Sequence, residues 1–299
     1  HAFIGVDPQG LIQAERLARF NRAPLIYYSL ELLLNEEVGE GVYKSIKEKE
    51  IRLSRQAAFI IIQDEDRAGL LAKDNALPIE KFVYVPNSPL GPARRQKNSY
   101  WHQKFGLAPE TKIVLHAGSI GEWTGIDGIV ESVRDWPENY VLVIHTRFST
   151  GTNGTIQRLQ QRALPGKVFF SLDPVSRQNY DQIMDGADIG LAFYQSVAGN
   201  VYFQQNIRTI GLSSGKAAYS MRAGLPLIFS RGIGLPELIE KCRAGVVVED
   251  MSKIGVAISQ IDHAYQEYSA AAIKLFNSYL NFTIAFQGVL ERLNGLCAV

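Results

Sequence analysis

The strongest constraint this chain places on its own fold is a rhythm in which short apolar runs alternate with longer amphipathic stretches almost throughout its 299 residues. That alternation is the signature of βαβ units, whose parallel strands are buried on both faces. Phe3 to Val6, Pro24 to Tyr28, Phe59 to Ile62 and Phe82 to Val85 read as strands of a first sheet. Helical stretches near Leu11 to Phe20, Val42 to Arg55 and Glu65 to Lys73, each with an apolar stripe, lie between them. A second series supplies strands at Lys112 to Ala117, Val141 to His145, Lys167 to Phe170, Ile189 to Phe193, Leu227 to Phe229 and Val246 to Val248. Its helices fall near Ile126 to Val133, Gly154 to Ala163, Arg177 to Met184, Gly215 to Arg222 and Pro236 to Cys242. The fold class is therefore α/β, with two Rossmann-like domains.

The segment from Pro86 to Lys97 breaks the rhythm, because proline fixes its own φ and biases the residue before it away from helix. The expected division is a partial N-terminal domain over 1–90, a C-terminal domain over 91–270, and a closing helix over 271–299 that packs back towards the first domain. The stretch Ile254 to Leu293 is helical in period and carries Phe276, Tyr279, Phe282 and Phe286 at about one-turn intervals, a stripe that reads as packing. The opening residues already read as a buried strand, so further N-terminal sequence is expected before His1.

Lys and Arg number 31 against 30 Asp and Glu, and a net charge of +1 supplies no field to hold nucleic acid. Two cysteines make neither a disulfide framework nor a metal cluster, and the five histidines are scattered, so no metal and no cofactor is expected. No apolar run approaches the roughly 20 residues that cross a bilayer. A reducing cytoplasm fits, with any membrane contact peripheral, at the inner face.

In open parallel sheets, ligands bind beyond the carboxyl ends of strands, where loops and helix starts converge. In the second domain those loops are Gly118-Ser-Ile-Gly121, Thr146 to Gly151 and Gly211-Leu-Ser-Ser-Gly-Lys216. Glycines admit a diphosphate close to backbone N–H groups. Neither a dinucleotide G-x-G-x-x-G nor a G-x-x-x-x-G-K-[ST] element occurs. Lys216 stands at a helix start, an unfavourable place for a cation unless an anion is present; the bland reading is a surface lysine. Arg147 follows a strand ending in His145 and has the reach for a phosphate, or is a solvated loop arginine. His145 reads equally as a packed residue or a phosphate donor.

Ser214-Gly-Lys-Ala-Ala-Tyr-Ser-Met-Arg-Ala-Gly-Leu-Pro-Leu-Ile228, Gly234-Leu-Pro-Glu-Leu-Ile-Glu240 and Ala187-Asp-Ile-Gly-Leu-Ala-Phe193 together carry a family resemblance. So do Asp7-Pro-Gln-Gly10, Pro24-Leu-Ile-Tyr-Tyr-Ser-Leu-Glu-Leu32 and Val83-Tyr-Val-Pro-Asn87. The chain resembles the GT-B glycosyltransferases of the retaining, nucleotide-sugar-dependent family that builds polysaccharide and lipopolysaccharide. The resemblance implies two domains facing a cleft, with the first strands of the first domain missing. It also implies a UDP- or GDP-sugar donor, a saccharide or lipid-linked acceptor, and no metal.

By the same resemblance Lys216 falls on the family lysine and stabilises the leaving diphosphate, helped by backbone groups near Gly118 and Ser214 and by Arg147. Gly118, Ser119, His145, Ser214, Gly215 and Tyr219 join it around the donor. Asp7 orients or deprotonates the acceptor, its bland reading being a cap on the next helix. Glu31 bonds sugar hydroxyls, or is a solvated helix-start carboxylate. The sequence departs from the family at Ser119 and Thr124, which replace a basic pair, at Tyr219 and Gly211, which replace glutamates, and at Leu30, which replaces a histidine. Two alternatives stand beside the transferase: a GT-B nucleotide-sugar epimerase, and a non-catalytic paralogue that binds a nucleotide sugar or a partner.

Overall fold

A computed structural model describes residues 1–146, 153–176, 179–197 and 204–297. The chain falls into two compact units: His1–Gly91 with Val197–Ser213 and Leu280–Val299, and Pro92–Ser196 with Ser214–Tyr279.

The first unit opens with β1 (Phe3–Val6), α1 (Asp7–Asn21), β2 (Leu25–Tyr28), α2 (Val42–Gln56), β3 (Ile60–Ile62), α3 (Glu65–Asn75) and β4 (Phe82–Tyr84). The four strands form one parallel sheet in the order β1-β2-β3-β4. Successive side chains of a strand point to opposite faces, and both faces are covered here. Tyr27, Ile60 and Ile62 pack under Leu11, Ala14, Leu53 and Leu71 of the three helices. Ile26 and Ile61 face the other way, onto Val289 and Phe286 from the end of the chain.

The second unit runs α4 (Tyr100–Phe105), β5 (Lys112–Ala117), α5 (Ile126–Ser132), β6 (Tyr140–His145), α6 (Asn153–Arg162), β7 (Val168–Ser171), α7 (Tyr180–Asp185) and β8 (Ile189–Ala192). The chain then gives α8 (Gln204–Arg208) to the first unit. It re-enters the second with α9 (Gly215–Arg222), β9 (Leu227–Ser230), α10 (Leu235–Cys242), β10 (Gly245–Val248), α11 (Ile254–His263) and α12 (Tyr265–Leu275). The first unit takes the last two helices, α13 (Phe282–Ala285) and α14 (Gln287–Cys297). Six parallel strands make the second sheet, ordered β10-β9-β8-β5-β6-β7. Chain order thus runs outward from β5 to β7 in one direction and from β8 to β10 in the other, so the order reverses between the adjacent β5 and β8. Such a reversal leaves a crevice beyond the carboxyl ends of those two strands.

The stretch read as one helical period from Ile254 onward is four helices. Ala264, at φ −133°, stops α11, and a π-helical turn at Phe276–Leu280 and Asn281, the side-chain cap of α13, divide the rest. Phe276 is buried and Phe282 stacks on Phe286, whereas Tyr279 is half exposed, so the aromatic stripe is not one packed seam.

Candidate functional site

At the reversal in the second sheet, three segments converge. The loop Gly118–Gly121 leaves β5, Tyr194 follows β8, and α9 begins at Gly215. Gly190 in β8 lets α9 sit this close, since a Cβ there would overlap Ser220. Gly118 takes φ 137°, a conformation that favours glycine, and a side chain on it would meet Lys216 Cε at 3.0 Å. Lys216 Nζ lies 5.0 Å from the centre of the Tyr194 ring, within cation–π range. The Tyr194 hydroxyl is 2.8 Å from Ser214 Oγ, which caps α9 by accepting the Ala217 N–H at 3.2 Å. That leaves the first N–H groups of the helix, at Gly215 and Lys216, without an acceptor among the described residues.

Lys216 itself has no carboxylate partner among the described residues, and burial alone pulls its ammonium down to about 8. An ammonium enclosed beside uncapped amides, with no anion beside it among the described residues, is arranged to receive one. His116, wholly buried in β5, donates from Nε2 to the Ser119 carbonyl at 3.2 Å. Burial and then the Lys216 charge hold its imidazole down at about 3, so it is neutral.

The strand ends of the first unit gather two carboxylates. Asp7 takes φ 56° and its Oδ1 accepts the N–H of Leu30 at 2.8 Å and of Glu31 at 2.9 Å. Its Oδ2 accepts no hydrogen bond among the described residues. Glu31 presents an exposed residue whose carboxyl is nonetheless crowded: desolvation pushes its pKa up, the Arg67 charge opposes this and the Asp7 charge adds to it. Arg67, buried in α3, donates from Nη2 to the Leu30 carbonyl at 2.7 Å and to Asn206 Oδ1 at 2.9 Å. Asn206 completes the clamp by bonding both the N–H and the carbonyl of Leu32, at 2.7 and 2.8 Å.

No protein-family model matches the sequence, and no curated protein matches it. Solved structures do. HepE of Anabaena in complex with UDP superposes with a TM-score of 0.73 at 16% identity, over 98% of this chain and 79% of that one. Sucrose-phosphate synthase from Thermosynechococcus elongatus gives 0.75 at 14% identity, over 99% and 74%. WaaG, a glycosyltransferase involved in lipopolysaccharide biosynthesis, gives 0.62 at 16%, over 92% and 79%. The chain has the GT-B fold.

Within that fold, Gly118, Ser119, Ser214, Gly215 and Lys216 come together at the crevice of the second sheet. The structure gives several of them different work from that expected. Gly118 N–H donates to the His145 carbonyl at 2.9 Å, extending the β5–β6 ladder, so it is no phosphate donor. Ser214 Oγ is taken up by the cap. His145 is buried, bonded through Nδ1 to Ser171 Oγ at 3.1 Å and set against Trp101, which is the packed reading; desolvation lowers its pKa. Tyr219 meets Tyr180 edge to face at 4.8 Å between centroids.

Arg147 lies outside the described residues. Asp7 does not cap α1, which begins without a side-chain cap, because its carboxylate is turned to the loop after β2. Glu31 starts no helix, since α2 begins only at Val42. Three residues had no place in the sequence reading: His116, Tyr194 and Arg67. The rule that ligands sit where strand order reverses points to the residues just after β5 and β8, and so to Tyr194. Among the described residues no group of three His, Cys, Asp or Glu side chains could hold a metal ion, and no helix is long and apolar enough to cross a membrane.

Proposed function

We propose that this chain is a glycosyltransferase that moves a sugar from a nucleoside-diphosphate sugar to a saccharide or lipid-linked acceptor, with retention. The observation that carries the reading is Lys216, an enclosed ammonium without a carboxylate partner among the described residues, set between Gly118 and Tyr194 at the start of α9. Glycosyl transfer passes through an oxocarbenium-like state as a diphosphate departs. A fixed cation and uncapped helix amides stabilise that departing charge without reorganising, which is where electrostatic catalysis acts most strongly. UDP and UDP-glucose are the molecules bound in the HepE structures, and a uridine donor is the first to test.

On the acceptor side, Asp7 Oδ2 is free, among the described residues, to take a hydroxyl hydrogen, and Glu31 offers hydrogen bonds to sugar hydroxyls. The non-catalytic reading draws on Leu30, Gly211 and Tyr219, which stand where the family carries a histidine and two glutamates. One assay separates the readings: nucleotide release from UDP- and GDP-sugars, with and without saccharide acceptors. Release that Lys216→Ala abolishes supports the transferase. Interconversion of the sugar means an epimerase, and binding without turnover means the paralogue.

A further inference from the structure

His116 is an expensive residue for its position. It has no exposed surface, and its Nδ1 has no hydrogen-bond partner among the described residues, a buried lone pair whose lost hydration nothing repays. An aliphatic side chain would fill the same space in β5 without that cost, so the imidazole needs a reason. Its one polar contact is the bond from Nε2 to the Ser119 carbonyl. A carbonyl only accepts, so Nε2 carries the hydrogen, and the ring's depressed pKa keeps it neutral through the physiological range.

The consequence lies on the far side of the same peptide. The Ser119–Ile120 peptide is planar and trans, so its N–H points opposite to its C=O. With the Ser119 carbonyl drawn in towards His116, the Ile120 N–H is turned outward, beyond the end of β5. Neither the Ile120 nor the Ser119 N–H has an acceptor among the described residues. Next to them runs the Lys216 side chain, close enough that its charge acts on His116. We propose that His116 is a positioning residue: it locks the Ser119–Ile120 peptide so that the Ile120 N–H, with Lys216, binds an oxygen of a diphosphate. The claim deepens the donor reading given above and rests on it for the identity of the anion.

The test compares wild type with His116→Gln and His116→Met, all labelled with 15N-isoleucine and with the Ile120 signal identified by Ile120→Val. Glutamine places its amide nitrogen where Nε2 stands; methionine has the same length and no donor. UDP, GDP and inorganic pyrophosphate are the probes. The expected result is a displaced Ile120 amide signal on titration of wild type and of the glutamine variant. In the methionine variant that displacement is lost and diphosphate affinity falls about tenfold or more, the loss of one charge-assisted hydrogen bond. A core residue that merely packs would not show this rescue by glutamine. An Ile120 signal unmoved in wild type by all three probes overturns the inference, as does a folded methionine variant that binds like wild type. If pyrophosphate moves the signal and no nucleotide does, the positioning role stands and the nucleotide-sugar reading falls.

Discussion

Lys216 carries its charge at a cost, and that cost makes the residue testable. Its folded pKa of about 8 lies below the ordinary 10.5, so between those values the unfolded chain binds more protons than the folded one. Stability therefore rises with pH across that window, as the folded ammonium gives up its proton, and the full penalty is present below about 8. A diphosphate reverses the balance by favouring the charged form. Nucleotide binding is thus expected to take up a proton near pH 8 to 9 and to weaken steadily above it, which calorimetry in buffers of different ionisation enthalpy measures directly. Lys216→Met should lose most of the affinity for UDP while thermal stability holds or rises, because a desolvated charge without a carboxylate partner among the described residues goes with it. A variant that binds UDP as well as wild type would remove Lys216 from the donor site.

Elements explain why that lysine is where it is. Gly190 admits α9 onto β8, and Gly118 leaves the channel in which the Lys216 side chain lies. Gly190→Ala inserts a methyl group against Ser220 and should destabilise the unit by about 1–3 kcal/mol in denaturant unfolding. Gly118→Ala meets both a left-handed φ of 137° and Lys216 Cε, so a further loss of UDP affinity is expected there; unchanged affinity in that variant would contradict the placement. The strands were legible in the sequence because burial on both faces leaves each one mostly apolar, and β5 begins and ends where its residues suggest, at Lys112–Ala117. Helices α4 and α8 were not. Six and five residues hold too few turns for a periodic stripe, and α8 is tied in by two polar side chains, Gln205 and Asn206. At the site, Lys216 was legible as a cation at a helix start. The role of His116 lies in the direction of one peptide plane, and Arg67 reads as one more residue of an amphipathic helix, so neither shows in the order of residues.

The whole molecule is built so that sequence neighbours do not stay in one unit. The first sheet needs parts that arrive very late: Val289 with Phe282, Phe286 and Leu293 cover the face formed by Ile26, Phe59, Ile61 and Val85. Arg67 needs late-arriving residues as well, for it donates to Asn206, to the Thr209 carbonyl at 3.3 Å and to Ser213 Oγ at 3.4 Å. Asp64 caps α3 from the Arg67 N–H with Oδ1 at 2.9 Å and accepts the Leu212 N–H with Oδ2 at 3.2 Å. A fragment of residues 1–91 keeps all four strands and loses every one of these late partners. It would leave the Arg67 guanidinium with one of its four hydrogen bonds, the one to the Leu30 carbonyl, at a cost of about 3–5 kcal/mol, and expose one face of its sheet. That sum is comparable to the whole stability of a small domain. The fragment is therefore expected to show no cooperative thermal transition by circular dichroism, whereas a chain carrying residues 1–299 should. Within the full chain, Arg67→Met tests the same junction more gently. The Leu30 carbonyl loses its donor and Asn206 one of two, the Glu31 carboxyl loses the charge that opposes its desolvation, and its titration should move to higher pH. An unshifted Glu31 in that variant would mean that the clamp does not reach the carboxylate.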